Sequence, residues 1–216
     1  MSTIKNKINI RPTSSVYATY KRLSYQPWTA IAEFVDNSTQ SFFDHCKELK
    51  TLKGFGKLSI NINYETAAGG NDRLTITDNA FGMELEDFER AIVLDKAPKD
   101  LSGRNEFGMG LKTAACWFGA HWTVESTQLG SEYGYRASVD VDKLKRDKDE
   151  EIDLDIFEAN PEDHYTIITV DRLHKKITGS RTVAKVRELL SCIYRQDLRT
   201  GEISIKYNDT ELSFKE

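Results

Sequence analysis

Cysteine is scarce in this chain of 216 residues: Cys46, Cys116 and Cys192 stand far apart, without any CxxC spacing. So sparse and odd a set excludes a disulfide framework and a cysteine zinc site, and reads as reduced, buried thiols in a cytosolic protein. Long hydrophobic runs are missing as well. Nothing approaches the length of a membrane span, and the start, Met1-Ser-Thr-Ile-Lys-Asn-Lys7, lacks the apolar segment of a signal peptide. The expectation is an intracellular, cytoplasmic protein with no membrane partner. Neither charge sign dominates. A net charge of -4 excludes a global pull towards nucleic acid or anionic lipid and leaves open only a local basic patch. Repeats, low-complexity tracts and a convincing linker are absent too, so a single domain over 1–216 is expected, long enough for one sizeable core.

What is present alternates between helical and strand periods. After a polar segment, 1–13, that suggests an edge strand or arm, Ser14 and Ser15 can cap a short helix to about residue 23. Pro27 suits the first turn of a longer helix, expected to run to about residue 49 and to end at Lys53-Gly-Phe-Gly56. Strict apolar–polar alternation over 57–64 and 73–78, joined by Ala68-Gly-Gly-Asn-Asp72, predicts a hairpin. Helices are predicted over 84–94, 108–118 and 182–198, and strands over 121–127, 133–139, 152–157 and 165–170. The mixed charges of 140–151 predict a solvated loop, and 202–214 a hairpin turning at Asn208-Asp209. The fold class is therefore α+β, a mixed sheet covered by helices on one face.

Two stretches carry the chemistry. On the first long helix, Trp28, Ile31, Ala32, Val35, Thr39, Phe42, Phe43 and Cys46 form an apolar side, while Glu33, Asp36, Asn37, Gln40 and Asp44 form a line of acids and amides. Nearly seventy residues on, Gly103-Arg-Asn-Glu-Phe-Gly-Met-Gly-Leu-Lys112 opens a helix. Helix-opening glycines expose backbone amides to an anion and let phosphate approach closely, which singles out Gly108 and Gly110. Magnesium takes hard oxygen ligands and keeps several waters, so Asn37 can serve as its one protein ligand beside phosphate oxygens. Glu33, one turn earlier on the same face, can orient a water. Asp78, at a strand end, can accept a hydrogen bond from an amino group on a base, although an Asp before a turn is also ordinary turn chemistry.

In order and spacing these residues resemble the GHKL ATPase superfamily, which includes DNA gyrase, the ninety-kilodalton heat-shock chaperone, histidine kinases and MutL. The motifs are Glu33-Phe-Val-Asp-Asn37-Ser-Thr-Gln40, Asp78-Asn-Ala-Phe-Gly82-Met83, Asn105-Glu-Phe-Gly108-Met-Gly110-Leu-Lys112 and Tyr165-Thr166-Ile-Ile-Thr-Val170. The runs 30–38 and 107–113 look closest to the microrchidia (MORC)-like and related prokaryotic ATPases. The resemblance implies a Bergerat-type two-layer sandwich that binds ATP with Mg2+. Glu33 would be the general base, Asn37 the magnesium ligand, Asp78 the adenine anchor and Thr166 its support. Gly82 and Met83 would line the base pocket. Phe107, Gly108, Met109, Gly110, Leu111 and Lys112 would belong to the phosphate loop, and about 95–107 would form a lid.

The resemblance further implies an ATP-dependent homodimer joined through the N-terminal arm. It also implies slow hydrolysis in isolation and a following domain, with a DNA or protein client reached through other domains. Departures from the family pattern are Ala80 and Asn105, where glycines are usual, Tyr165 for a glycine, and Gln40 for an acid. Two rival readings stand beside the ATPase: a nucleotide-binding regulatory module without turnover, and a histidine kinase. The kinase lacks support, because Glu33 is present and none of the four histidines sits on a phosphoacceptor helix. Residues 172–187 carry six cations, with Asp171 just ahead of them as the single acid, which is either a solvated helix start or a DNA contact.

Overall fold

Alternation builds the sheet. Along β1 (Leu58–Glu65), Leu58, Ile60, Ile62 and Tyr64 turn inward and Asn61, Asn63 and Glu65 meet solvent. Its hairpin partner β2 (Arg73–Asp78) buries Leu74, Ile76 and Asp78. The computed structural model describes residues 14–67, 69–93, 109–147 and 151–214; the expected N-terminal arm and lid lie outside them. Six further strands are β3 (Gly119–Thr127), β4 (Tyr133–Asp140), β5 (Leu154–Glu158), β6 (Tyr165–Leu173), β7 (Ile203–Tyr207) and β8 (Thr210–Glu211). They assemble in the order β5-β4-β3-β6-β2-β1-β7-β8. Among the described residues only β1 and β7 pair in parallel, so the sheet is mixed. Register places Ile60, Asp78, Thr166 and Ser126 in one row across β1, β2, β6 and β3.

Helices cover the inward face. They comprise a 3-10 helix (Ser14–Arg22), α1 (Pro27–Asp44), α2 (Cys46–Thr51), α3 (Leu85–Ile92), α4 (Gly110–Phe118), α5 (Val141–Asp147), α6 (Ser180–Ile193) and α7 (Arg195–Thr200). Side by side on the sheet, α1 and α4 meet through Phe34 stacked on Phe118 at 6.4 Å. The 3-10 helix packs on α4 and α5, and α6 on α1. Trp122, Val124, Val170 and Ile60 supply the sheet side of the core. The opposite face presents Asn61, Thr75, Thr123, Glu125 and Ser138, the polar half of the same alternation.

Some expectations need correction. The long helix breaks at His45 (φ -117, ψ 21), whose ring stacks on Phe81 at 3.8 Å; a contact with a distant loop leaves no trace in helical periodicity. Phe43 is exposed, whereas Phe34, absent from the expected apolar side, is fully buried. Within the expected loop 140–151, residues 141–147 form α5: Val141 and Leu144, three apart, are buried, and the Asp140 carboxylate accepts the Lys143 amide at 2.9 Å. A single helix over 182–198 is in fact two, meeting at Tyr194. The last hairpin turns as expected, with Asn208 and Asp209 both at positive φ. The Asn208 side chain prolongs the ladder by accepting from the Tyr64 amide at 2.7 Å and donating to the Tyr64 carbonyl at 3.0 Å.

The burial of α1 is testable by truncation. Phe34→Ala should cost about 3–5 kcal/mol in urea unfolding, and Phe43→Ala less than about 1 kcal/mol. Equal losses would contradict this orientation of the helix.

Candidate functional site

The polar line on α1 divides into separate jobs. Gln40 donates to Asp44 at 2.7 Å in solvent, an ordinary i,i+4 surface pair. The single proton of the Tyr194 hydroxyl is shared between two acceptors, the Asp36 carboxylate at 2.9 Å and the Ala32 carbonyl at 3.0 Å. Glu33 instead faces the start of α4. Its Oε2 lies so close to Gly110 that a Cβ there would stand 2.2 Å away, so no side chain fits between them. Burial pushes the Glu33 carboxyl above the ordinary range; donation from Tyr25 opposes this, and the neighbouring Asp36 charge adds to it. Asn37 donates from Nδ2 to the Glu33 carbonyl at 2.7 Å. That bond orients the amide so that its oxygen, the hard donor a magnesium ion takes, lies on the other side. No group of three His, Cys, Asp or Glu among the described residues could hold a metal. A cation here would rest on Asn37, water and a ligand's own oxygens.

Asp78 sits under this helix. Ser38 donates to its Oδ2 at 2.6 Å and the Ala80 amide to its Oδ1 at 3.0 Å. Burial raises its pKa, against the lowering effects of Ser38, the Ala80 and Thr166 amides and His164. Thr166, opposite Asp78 in the register, lies 3.0 Å from the Ser126 hydroxyl. Because Ser126 gives its own proton to the Tyr165 carbonyl at 2.8 Å, Thr166 is the donor of that pair. Ser126 also accepts the Met83 amide at 3.0 Å. Neither Ser38 nor Ser126 was singled out by sequence reasoning. Ser38 was within reach as the residue after Asn37 in the first motif, while Ser126 carries no local signal because only register brings it here.

The loop after Asp78 is pinned along its length. His164 donates from Nδ1 to the Ala80 carbonyl at 2.8 Å, and the Leu129 amide to the Phe81 carbonyl at 3.0 Å. Gly82 has φ +80, and a Cβ on it would fall 1.8 Å from the Thr127 carbonyl oxygen; only glycine fits. Two of the departures from the family pattern, Ala80 and Tyr165, are accommodated. Ala80 is buried without positive φ, and Tyr165 turns to the other sheet face, donating to Glu125 at 2.8 Å.

Around the start of α4, Phe107 and Gly108 lie outside the described residues, as does Asn105. Met109 precedes α4 and is exposed, and Gly110 opens the helix. Leu111 is buried in the core, so its backbone alone is available to a ligand. Lys112 is not a solvated lysine. It is 1% exposed, and its Nζ donates to the Val93 carbonyl beyond α3 at 2.6 Å. The basic run 172–187 is largely spent on protein contacts. Arg172 pairs with Asp140 at 2.8 Å and Lys176 with Asp72 at 3.6 Å, while Lys175 lies over Trp117 and Lys185 over Trp28.

A mixed sheet under α1, with Glu33 and Asn37 one turn apart and a buried acid beneath them, is the architecture of a GHKL-type ATPase domain. A family model described as "Histidine kinase-, DNA gyrase B-, and HSP90-like ATPase" matches residues 25–177, and the chain belongs to this family. Among solved structures it is similar to the ATPase region of Saccharomyces cerevisiae topoisomerase II bound to ICRF-187 (dexrazoxane), with TM-score 0.59 and 11% identity. That likeness covers 87% of this chain and 49% of the yeast one, so the chain spans about half that structure's length. Comparison with curated proteins returns no match. No helix among the described residues is long and apolar enough to cross a membrane.

Burial of Lys112 makes stability depend on pH. It pulls the ammonium from its ordinary 10.5 down to about 8. The unfolded chain then binds more protons than the folded one between those values, and stability rises with pH across the window. Relative to Lys112→Met, wild type should gain on the order of 1–2 kcal/mol between pH 7 and pH 9.5 in urea unfolding. A difference constant with pH would contradict burial of the charge.

Proposed function

We propose that the protein binds ATP with magnesium between α1 and α4 and hydrolyses it as a conformational switch. The observation that supports this best is the approach of the Glu33 carboxylate to Gly110, at the mouth of a helix whose first amides suit phosphate. Asp78 would accept from the exocyclic amine of adenine, with Thr166 and Ser126 supporting that edge. Gly82 and Met83 would line the base pocket. Asn37 would hold the magnesium ion, which neutralises charge on the phosphates when bound. Glu33 would orient the attacking water and take its proton. Phe107, Gly108, Met109, Gly110 and Leu111 would enclose the phosphates, the last through its backbone. Lys112 could reach a phosphate only by giving up the Val93 carbonyl.

The same reading takes 1–216 as one ATPase domain of a larger assembly, with 1–13 as an exchanging arm and about 95–107 as the lid. ATP would drive N-terminal homodimerisation, and a DNA or protein client would be met through other domains. Kinship with the MORC-like branch rests on the runs 30–38 and 107–113, and a cytoplasmic location on composition.

Two measurements separate turnover from mere binding. Glu33→Gln should lower phosphate release at least about 100-fold while its Kd for a non-hydrolysable ATP analogue stays within about twofold of wild type. Asn37→Ala should abolish the magnesium dependence of that binding. Phosphate release from Glu33→Gln at the wild-type rate would contradict the assignment. Absence of wild-type turnover with binding intact would favour a regulatory module. In sedimentation, the chain should shift from monomer to dimer with the analogue; a monomer in both states would exclude the arm-exchange model.

A further inference from the structure

The Glu33 carboxylate has two oxygens, and they have different surroundings. Oε2 abuts Gly110. Oε1 accepts a hydrogen bond from the Tyr25 hydroxyl at 3.1 Å. Tyr25 lies ahead of α1, outside each of the four sequence motifs. Its hydroxyl also stands 3.3 Å from the Thr113 hydroxyl on α4. Thr113 has carbonyl acceptors for its own proton at Met109 and Gly110, both at 3.0 Å. Tyr25 therefore has its proton available for Glu33 and accepts, at most, from Thr113.

The segment carrying Tyr25 is itself clamped. Trp117 on α4 donates from Nε1 to the Leu23 carbonyl at 2.9 Å, and its ring meets the Tyr25 ring edge-on at 6.1 Å. The phenol is thus placed by α4, the helix that the Glu33 carboxylate faces. A carboxylate on a helix has free χ angles unless another group fixes them, and a misaimed base loses rate without losing substrate.

Resting on the reading of Glu33 as the base of an ATPase, we propose that Tyr25 is a positioning residue for hydrolysis. By donating to Oε1 it locks the Glu33 carboxylate against the mouth of α4 and leaves Oε2 as the oxygen that takes the proton from water. The same contact makes the distance between α1 and α4 part of the catalytic geometry. Tyr25 touches neither the nucleotide nor the reacting water.

Tyr25→Phe keeps the ring and its packing on Trp117 and removes only the hydroxyl. Steady-state hydrolysis of Mg·ATP by wild type, Tyr25→Phe and Glu33→Gln, with analogue binding and thermal melting on the same samples, tests the proposal. The expected result is a kcat about tenfold lower for Tyr25→Phe. Its KM, its Kd for the analogue and its melting temperature should match wild type, and the loss should be smaller than that of Glu33→Gln. Unchanged kcat would overturn the role of Tyr25 while leaving Glu33 as base. Weakened analogue binding or a lowered melting temperature accompanying the kcat loss would overturn it in favour of a packing role. Wild-type turnover no higher than that of Glu33→Gln would overturn the reading of Glu33 itself, and this inference with it.

Discussion

The carboxylate of Asp78 is the point where helix layer and sheet are tied together. It is a carboxyl group in a buried place, and such a group is tolerated only when donors surround it. Ser38 reaches it from α1, the Ala80 amide from the loop that follows, and the Thr166 amide from the neighbouring strand. Three elements distant in sequence must therefore be in register for Asp78 to be satisfied. Removing one donor leaves a buried acceptor short of a partner, a cost of about 1–3 kcal/mol. The site's geometry is thus coupled to the integrity of the fold.

From that tie the remaining features follow. With Ser38 held on Asp78, the preceding turn of α1 places Glu33 and Asn37 on the side that meets α4. Gly110 allows α4 to approach Glu33 because it has no side chain to interpose, and Gly82 allows the loop after Asp78 to approach β3 for the same reason. Behind α1, Tyr194 grips Ala32 and Asp36, which bracket Glu33. Helix α1 is thereby fixed from three directions: the sheet below, α4 on one flank and the α6–α7 corner on the other. Groups mounted on an element so restrained need little reorganisation to act.

Much of this was legible in the chain. Hydrophobic alternation identified β1 and β2, an apolar β-branched run identified β6, and the motif spacing singled out Glu33, Asn37, Asp78 and Gly110, which the fold places along α1, beneath it and at the start of α4. What stayed hidden depends on tertiary contact. Ser126 enters through the β3–β6 register, His45 breaks a helix by stacking on Phe81, and Tyr25 reaches Glu33 across eight residues through space. Leu111 and Lys112 follow the glycines in sequence, yet their side chains turn inward to the core and to Val93. Helix α5 was masked by its charges, because two buried residues three apart are a weak signal among seven.

A structure of the chain crystallised with magnesium and a non-hydrolysable ATP analogue tests the central claim most directly. The account predicts adenine hydrogen-bonded to Asp78, the metal on Asn37, and the terminal phosphate between Glu33 and the first turn of α4. Nucleotide bound elsewhere, or a base that leaves Asp78 untouched, would contradict it.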